Sequence, residues 1–399
     1  MKADFPKAGL APVASPRSSA QPELSMRTVG NIQKKLRGPS QSLHFLAALN
    51  DCISVTALPH PVTARNVGLV PSWQRWSSWL EGASDKSSIA DSIVTNPRNN
   101  FDKCVDVVKD ELRNDSVWTK GVVAVQTEEE LDTSGVFAAA PLMFWRRPRA
   151  LVELTKPLQQ LLDRSDLGDD IPIGLLRPPV PACYIRFGDD MQHAILSAQT
   201  EDFHHMRVEG VYVFESVREE QRAVAIVAFW AVDGQPTFSV STIEMIIGDD
   251  KEPLVDVIER TCANKPGPVR LHHRVLAQLC TKVFLYWSVE QARTEKQQPF
   301  SDAIQQLKRL GPKKASKLKR HVDRLYDRIL LGPLAIPGHG DHDEVSPHWR
   351  RGHFRMQPHG PLHSLRKVLF IAPTLVRADR LENGATIGAS VNSEREQKS

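Results

Sequence analysis

Between residues 206 and 247 three apolar runs follow one another closely, and no other feature limits the fold as much. Met206–Glu215 and Arg222–Val232 are rich in β-branched and aromatic residues, and the polar stretch Val217–Gln221 separates them. That pattern reads as a β-hairpin. Thr237–Ile247 supplies a third strand, and Ala182–Phe187 has strand composition upstream. A hairpin of this length has two faces to bury, so the chain needs helices to cover it. Phe101–Arg113 places Phe101, Cys104, Val105, Val108 and Leu112 at helical spacing. Glu252–Ala263 reads as a helix, and Leu271–Trp287 carries the widest apolar stripe, through Leu276, Leu279, Cys280, Val283, Phe284 and Trp287. Arg149–Asp163 also reads as helical, Ser42–Leu49 as a short helix and Gly121–Val125 as a short strand. The expected fold is α+β: a mixed domain with an antiparallel sheet and packed helices, followed by a basic helical and strand module.

The chain has 399 residues, which suggests two or three domains. Residues 1–42 are rich in Pro, Ser, Ala and Lys and lack the apolar surface to offset ordering entropy, so a disordered arm is expected there. A mostly helical region over 43–165 follows, then a mixed α/β domain over 166–300 and a basic Arg/His-rich module over 301–380. Residues 381–399 are small and polar and read as a disordered tail. Trp73, Trp76 and Trp79 recur every three residues, more in the manner of a core face than of a base-stacking platform.

The apolar stretches near Gly135–Trp145 and Ala223–Val232 fall well short of the roughly 18–20 residues of a membrane helix. No apolar signal core follows Met1. Five scattered cysteines with no C-x-x-C argue against a disulfide framework and a cysteine zinc site. A reducing cytoplasm is the expected location, with no membrane partner and no cofactor.

Charge is uneven along the chain. Residues 301–399 hold 18 Lys+Arg against 10 Asp+Glu, whereas the first 300 hold 33 against 37. A basic last quarter suits a polyanion partner: RNA, DNA or an acidic protein surface. Lys308–Arg328 alone contains nine Lys or Arg, broken at Gly311-Pro312. Beyond the break, Leu318, Val322, Leu325 and Ile329 recur at spacings of 4, 3 and 4, which predicts a basic amphipathic helix bearing Lys313, Lys314, Lys317, Lys319 and Arg320. Lys367–Val376 reads as a strand interrupted at Pro373.

Pro347-His348-Trp349-Arg350-Arg351-Gly352-His353-Phe354-Arg355 is the densest chemistry in the chain, and six of the 14 histidines fall between His339 and His363. Metal-free phosphodiester cleavage needs an acid, a base and cations, which His353 and Arg351 supply in type. An extended segment, however, puts His348 and Arg350 on one face and Arg351, His353 and Arg355 on the other, so His353 would need a partner from elsewhere. His339, Asp341, His342 and Asp343 offer metal ligands, but the stretch lacks helical His spacing and is rich in Gly and Pro; no metal is expected. Structural roles compete: the arginines bracing loops through Asp341, Asp343 or Glu344, and Trp349 and Phe354 anchoring a core. His348, Arg350, Arg351, His353 and Arg355, with the basic helix, remain the candidate RNA contacts, and His353 is the one catalytic candidate.

Pro347, His348, Arg350, Arg351, Gly352 and His353, followed by Gly360, Pro373 and Val376, resemble the C-terminal signature of a type V-A anti-CRISPR family carried by phages and plasmids; Phe354 stands where that family has Trp. Upstream, Asp169-Asp170-Ile171-Pro172 with Leu175, Pro179, Cys183 and Tyr184 resembles a second stretch of the same family. The resemblance spans about residues 165–377. It implies a protein of a mobile genetic element that lowers the type V-A effector nuclease by loss of its mRNA, during translation and through the nascent N-terminal peptide. The implied partners are that peptide on the ribosome and mRNA or ribosomal RNA. An RNA-cleaving enzyme, and a nucleic-acid-binding plasmid or phage protein with another target, are the alternatives. Edge-strand logic suggests that the Ala182–Phe187 strand or the hairpin edge takes the peptide by strand addition.

Overall fold

A computed structural model describes residues 58–66, 86–114, 128–197, 206–232, 238–290, 292–335 and 348–376. The expected arm and tail, the Ser42–Leu49 helix, the Trp73–Trp79 stripe, the Gly121–Val125 strand and the His339–Asp343 ligand set lie outside these residues.

Four helices come first: α1 (His60–Asn66), α2 (Lys86–Thr95), α3 (Phe101–Asn114) and α4 (Glu128–Arg146). The chain then enters β1 (Arg149–Leu154), α5 (Lys156–Asp163), the two-residue β2 (Ser165–Asp166), β3 (Ala182–Arg186) and α6 (Asp189–Ser197). The expected hairpin follows as β4 (Met206–Arg218) and β5 (Gln221–Val232), joined at Glu219-Glu220, with β6 (Phe238–Ile247) as the third strand. Both turn residues have positive φ, 50° and 62°, the backbone twist that a two-residue hairpin connection demands. Next come α7 (Leu254–Cys262), α8 (Gly267–Ser288), β7 (Thr294–Gln297), α9 (Pro299–Leu307), α10 (Pro312–Val322) and β8 (Arg328–Leu331). The chain closes on β9 (His348–Arg350), β10 (Gly352–His359), β11 (Leu365–Ile371) and β12 (Thr374–Val376). Helices and mixed sheets together make an α+β protein.

The main sheet has seven strands in the order β6-β5-β4-β3-β1-β8-β7. β6 to β3 form an antiparallel run, β1 lies parallel to both β3 and β8, and β7 returns antiparallel to β8. Both faces are covered. On β5, Val224, Ile226, Ala228 and Trp230 face one core, shared with α5, α6, α7 and α8. Ala225, Val227 and Phe229 face the other, shared with α1, α3 and α4. This double burial explains why the hairpin reads as an unbroken apolar run instead of an alternating one. Each of Cys104, Cys183, Cys262 and Cys280 is buried and unbridged. Among the described residues no helix is long and apolar enough to cross a membrane.

Three readings need correction. Arg149–Leu154 is a strand, not the start of a helix. β1 sits between β3 and β8 with Ala150, Val152 and Leu154 in one core, while Leu151 enters the other and shares its face with Arg149 and Glu153; ladder pairing on both sides overrides the helical reading. The helix begins after Thr155, whose side chain accepts from the Leu158 amide as an N-cap. The basic helix stops at Val322 and does not reach Leu325 or Ile329. Ile329 instead pairs with Val152 in the parallel slot beside β1, and that pairing overrides the helical spacing. Finally, neither β3 nor the hairpin offers a free edge: β3, β4 and β5 are each paired on both sides, and the sheet's edges are β6 and β7.

A second sheet, β11-β10-β2, lies across α8 from the main one. α8 touches β6 on one side and β11 on the other, with Tyr286 edge-on to Phe370 at 5.5 Å. β9 pairs with β12 as a separate two-stranded ribbon. Pro373 breaks β11 from β12, as its missing N–H requires.

Candidate functional site: the Arg/His signature around β10

The described part of the segment, His348–Arg355, is extended, as alternation assumed, but it is two strands with two sets of partners. His348, Trp349 and Arg350 form β9 and face Val376, Leu375 and Thr374 in register. Gly352 and His353 begin β10, which pairs antiparallel with β11 and parallel with β2, Gly352 opposite Ser165 and His353 opposite Asp166. Arg351 falls at the junction between the two strands.

Gly352 is required by space. A Cβ there would lie 2.4 Å from Pro373 Cδ and 2.6 Å from Ser165 Oγ, both too close for any side chain to fit without displacement. Phe354 is fully buried and packs on Phe370 with ring centroids 4.7 Å apart. It is the core anchor that a structural reading of the motif expects. The upstream stretch meets the same strand. A Cβ on Gly168 would stand 2.6 Å from the Phe354 carbonyl oxygen, and Asp170 accepts from the Met356 amide at 3.4 Å. The Ile171 carbonyl accepts from the Leu254 amide (2.8 Å), and Pro172 bridges to Pro253, which ties the Asp169–Pro172 turn to the start of α7. Residues nearly two hundred positions apart in sequence therefore build one structure.

The polar side of this structure is exposed. Arg351 Nη1 lies 3.2 Å from both carboxylate oxygens of Asp166. The side chains are 72% and 57% exposed, so the pair contributes little to stability in water, at most about 1 kcal/mol. Among the described residues the carboxylate that braces Arg351 is Asp166; Asp341, Asp343 and Glu344 lie outside them. Arg355 is exposed and donates to Gln357 Oε1 at 3.0 Å. His353 is half-buried. Beneath Arg351, Lys282 of α8 donates to the Leu162 carbonyl at 3.1 Å. Burial pulls its ammonium below the usual lysine range, Asp166 and Asp163 push back, and Arg351 adds to the lowering. Asp163, Asp166, Lys282 and Arg351 thus share one electrostatic neighbourhood. Sequence reasoning missed Ser165, Asp166 and Lys282. Asp166 sits in a two-residue strand and Lys282 in an apolar helix, and neither position carries a local signal.

The basic helix is a separate element. Lys313, Lys314, Lys317, Lys319 and Arg320 are all exposed on α10, which packs on α9 and buries Val322. None of the five meets a carboxylate among the described residues. No group of three or more His, Cys, Asp or Glu placed to hold a metal occurs among the described residues.

What the signature builds is a cation-bearing surface, with Gly352 and Phe354 used in packing and Arg351 and Arg355 left outside. Residues 152–378 match the AcrVA2-like family, the anti-CRISPR type V subtype A2 family. The match covers more than half of the chain, and the chain belongs to that family: it is an anti-CRISPR protein directed at type V-A systems. No curated protein matches the chain.

Proposed function

We propose that this anti-CRISPR protein, encoded by a phage or plasmid, acts in the bacterial cytoplasm by removing the mRNA of the type V-A effector during translation, after recognising the effector's nascent peptide. The observation that carries this reading is the convergence of the two signature stretches around exposed arginines on β10. Arg351 and Arg355 contact RNA or ribosomal phosphate, with His353 beside them. Because the Arg351–Asp166 pair is exposed and weak, exchanging the carboxylate for a phosphate costs little, and guanidinium suits phosphate bidentately. The unpaired cations of α10 add sequence-independent affinity that falls with salt.

Effector mRNA abundance tests this. Bacteria expressing a type V-A nuclease are compared with and without the protein, and with the effector's N-terminal peptide recoded under the same promoter. Loss of the transcript only with the native peptide is expected, and Arg351→Ala should restore it. Transcript levels that never change would refute the reading. Cleavage of RNA by the purified protein without ribosomes, abolished by His353→Ala, would replace recruitment with a nuclease.

A further inference from the structure

A cleft of about 690 Å³ opens where α1, α4, β1, β8 and the start of α9 meet. None of its lining residues belongs to β9, β10, β11 or β12, so it is distinct from the signature surface. Its walls alternate aromatic rings with cations. The Arg149 guanidinium lies over the Trp145 ring at 4.4 Å, and that of Arg65 lies over Phe300 at 3.9 Å and 5.7 Å from Trp145. Each guanidinium is thus held against a ring face by cation–π attraction, with donors left over for a ligand.

The carboxylates nearby are already committed. Asp327 accepts from the Phe300 and Ser301 amides, both at 3.0 Å, capping α9. Glu153 takes Arg328 at 3.2 Å and Arg186 at 3.1 Å. Arg65 spends Nε and Nη2 on Asn66 Oδ1 and the Leu325 carbonyl, and Arg149 spends Nη1 on the Trp145 carbonyl. Among the described residues neither arginine ion-pairs, and Nη1 of Arg65 and Nη2 of Arg149 have no hydrogen-bond partner. Burial lowers the affinity of both guanidiniums for their protons, Arg65 to about 10, while Asp327 pushes both back up and Asp323 adds to the push on Arg65.

Arg65, half-buried, and Arg149, exposed, are each set on aromatic rings with no ion pair among the described residues, an arrangement that suits a multivalent anion attached to a flat ring. We propose that this cleft binds a nucleoside phosphate, its phosphate oxygens held by Arg65 and Arg149 and its base laid against the Trp145–Phe300 wall. The volume suits a single nucleotide and is within the usual range of small-molecule sites. The unit is either a free nucleotide or one residue of a single RNA strand, whose bases stack on rings and guanidinium planes.

Titration of the full chain with AMP, ATP, adenosine and a seven-nucleotide oligoadenylate, followed by calorimetry, tests the assignment. At least one phosphate-bearing probe should bind saturably, and adenosine should bind roughly tenfold or more weakly, since it lacks the charge-assisted bonds. Binding of AMP or ATP identifies a free nucleotide; binding of the oligomer alone identifies a strand. Arg149→Glu, with an unchanged unfolding midpoint, should weaken binding by at least about tenfold. Photocrosslinking of the unaltered protein with 8-azido-ATP or an 8-azidoadenine oligomer should label peptides holding Trp145 or Phe300, which keeps the test independent of any variant's folding. No saturable binding by any phosphate probe would overturn the proposal. So would equal binding by folded Arg149→Glu, labelling elsewhere only, or binding confined to an oligoglutamate peptide. None of these outcomes bears on effector mRNA, so this site and the signature surface stand or fall separately.

Discussion

Truncating Phe354 to alanine separates the packing role of the signature from its surface role. The Phe354 side chain has no exposed area. It sits 4.7 Å from the Phe370 ring, which in turn meets Tyr286 of α8, so it pins the second sheet to the helix that also covers the first. Deleting a fully buried phenylalanine loses the transfer free energy of the ring and leaves a void, at a cost of about 3–5 kcal/mol. In a folded region of this size each kcal/mol lowers the melting temperature by roughly 2–4 °C, so a fall of roughly 6–20 °C is expected. Arg351→Ala removes a pair exposed by 72% and 57% and should cost no more than about 1 kcal/mol. Urea unfolding of the wild type and both variants, followed by tryptophan fluorescence, measures the two costs on one scale. If Arg351→Ala proves the more destabilising, the arginine is the brace and the aromatic is not, and the division of the motif drawn from burial is wrong.

Stability should fall with acid below the ordinary range of histidine. Burial holds His60 and His272 at about 3 and His273 at about 4, so between about pH 6.5 and those values the unfolded chain binds more protons, and each histidine costs up to about 1.4 kcal/mol per pH unit. Glu209 and Glu244, raised by burial, act with the opposite sign above the usual carboxylate range, but two carboxyls do not offset three imidazoles; an unfolding free energy that rises from pH 6.5 to 5 would refute this. The Glu219-Glu220 turn, with φ of 50° and 62°, favours residues that accept the left-handed region, so replacing it with Asn-Gly should stabilise the protein by about 1 kcal/mol in thermal or urea unfolding. No gain would mean that the turn relaxes at no cost.

Much of the architecture was legible because it rests on local chemistry. The hairpin, β3, β6, α3, α7 and α8 follow from apolar spacing and turn residues, and the breaks at Gly311-Pro312 and Pro373 follow from proline. β1 was illegible because its six residues run straight into the α5 helix and only pairing with β3 and β8 makes them a strand, and Ile329 because a strand slot beside β1 outcompetes a helical repeat. The residue types of the site were visible as a run of arginine and histidine, but their division of labour was not. Gly352 faces Pro373 and Ser165, Phe354 enters the core, and Arg351 meets Asp166, and each contact joins positions distant in sequence. The cleft of Arg65, Trp145, Arg149 and Phe300 had no sequence signature at all, since its four residues come from three helices and a strand. By itself the sequence determined the class of fold and the chemistry available at the surface. Only tertiary structure decided which of those side chains are spent on packing and which remain to meet a partner, because burial and close approach are properties of elements brought together, not of neighbours in the chain.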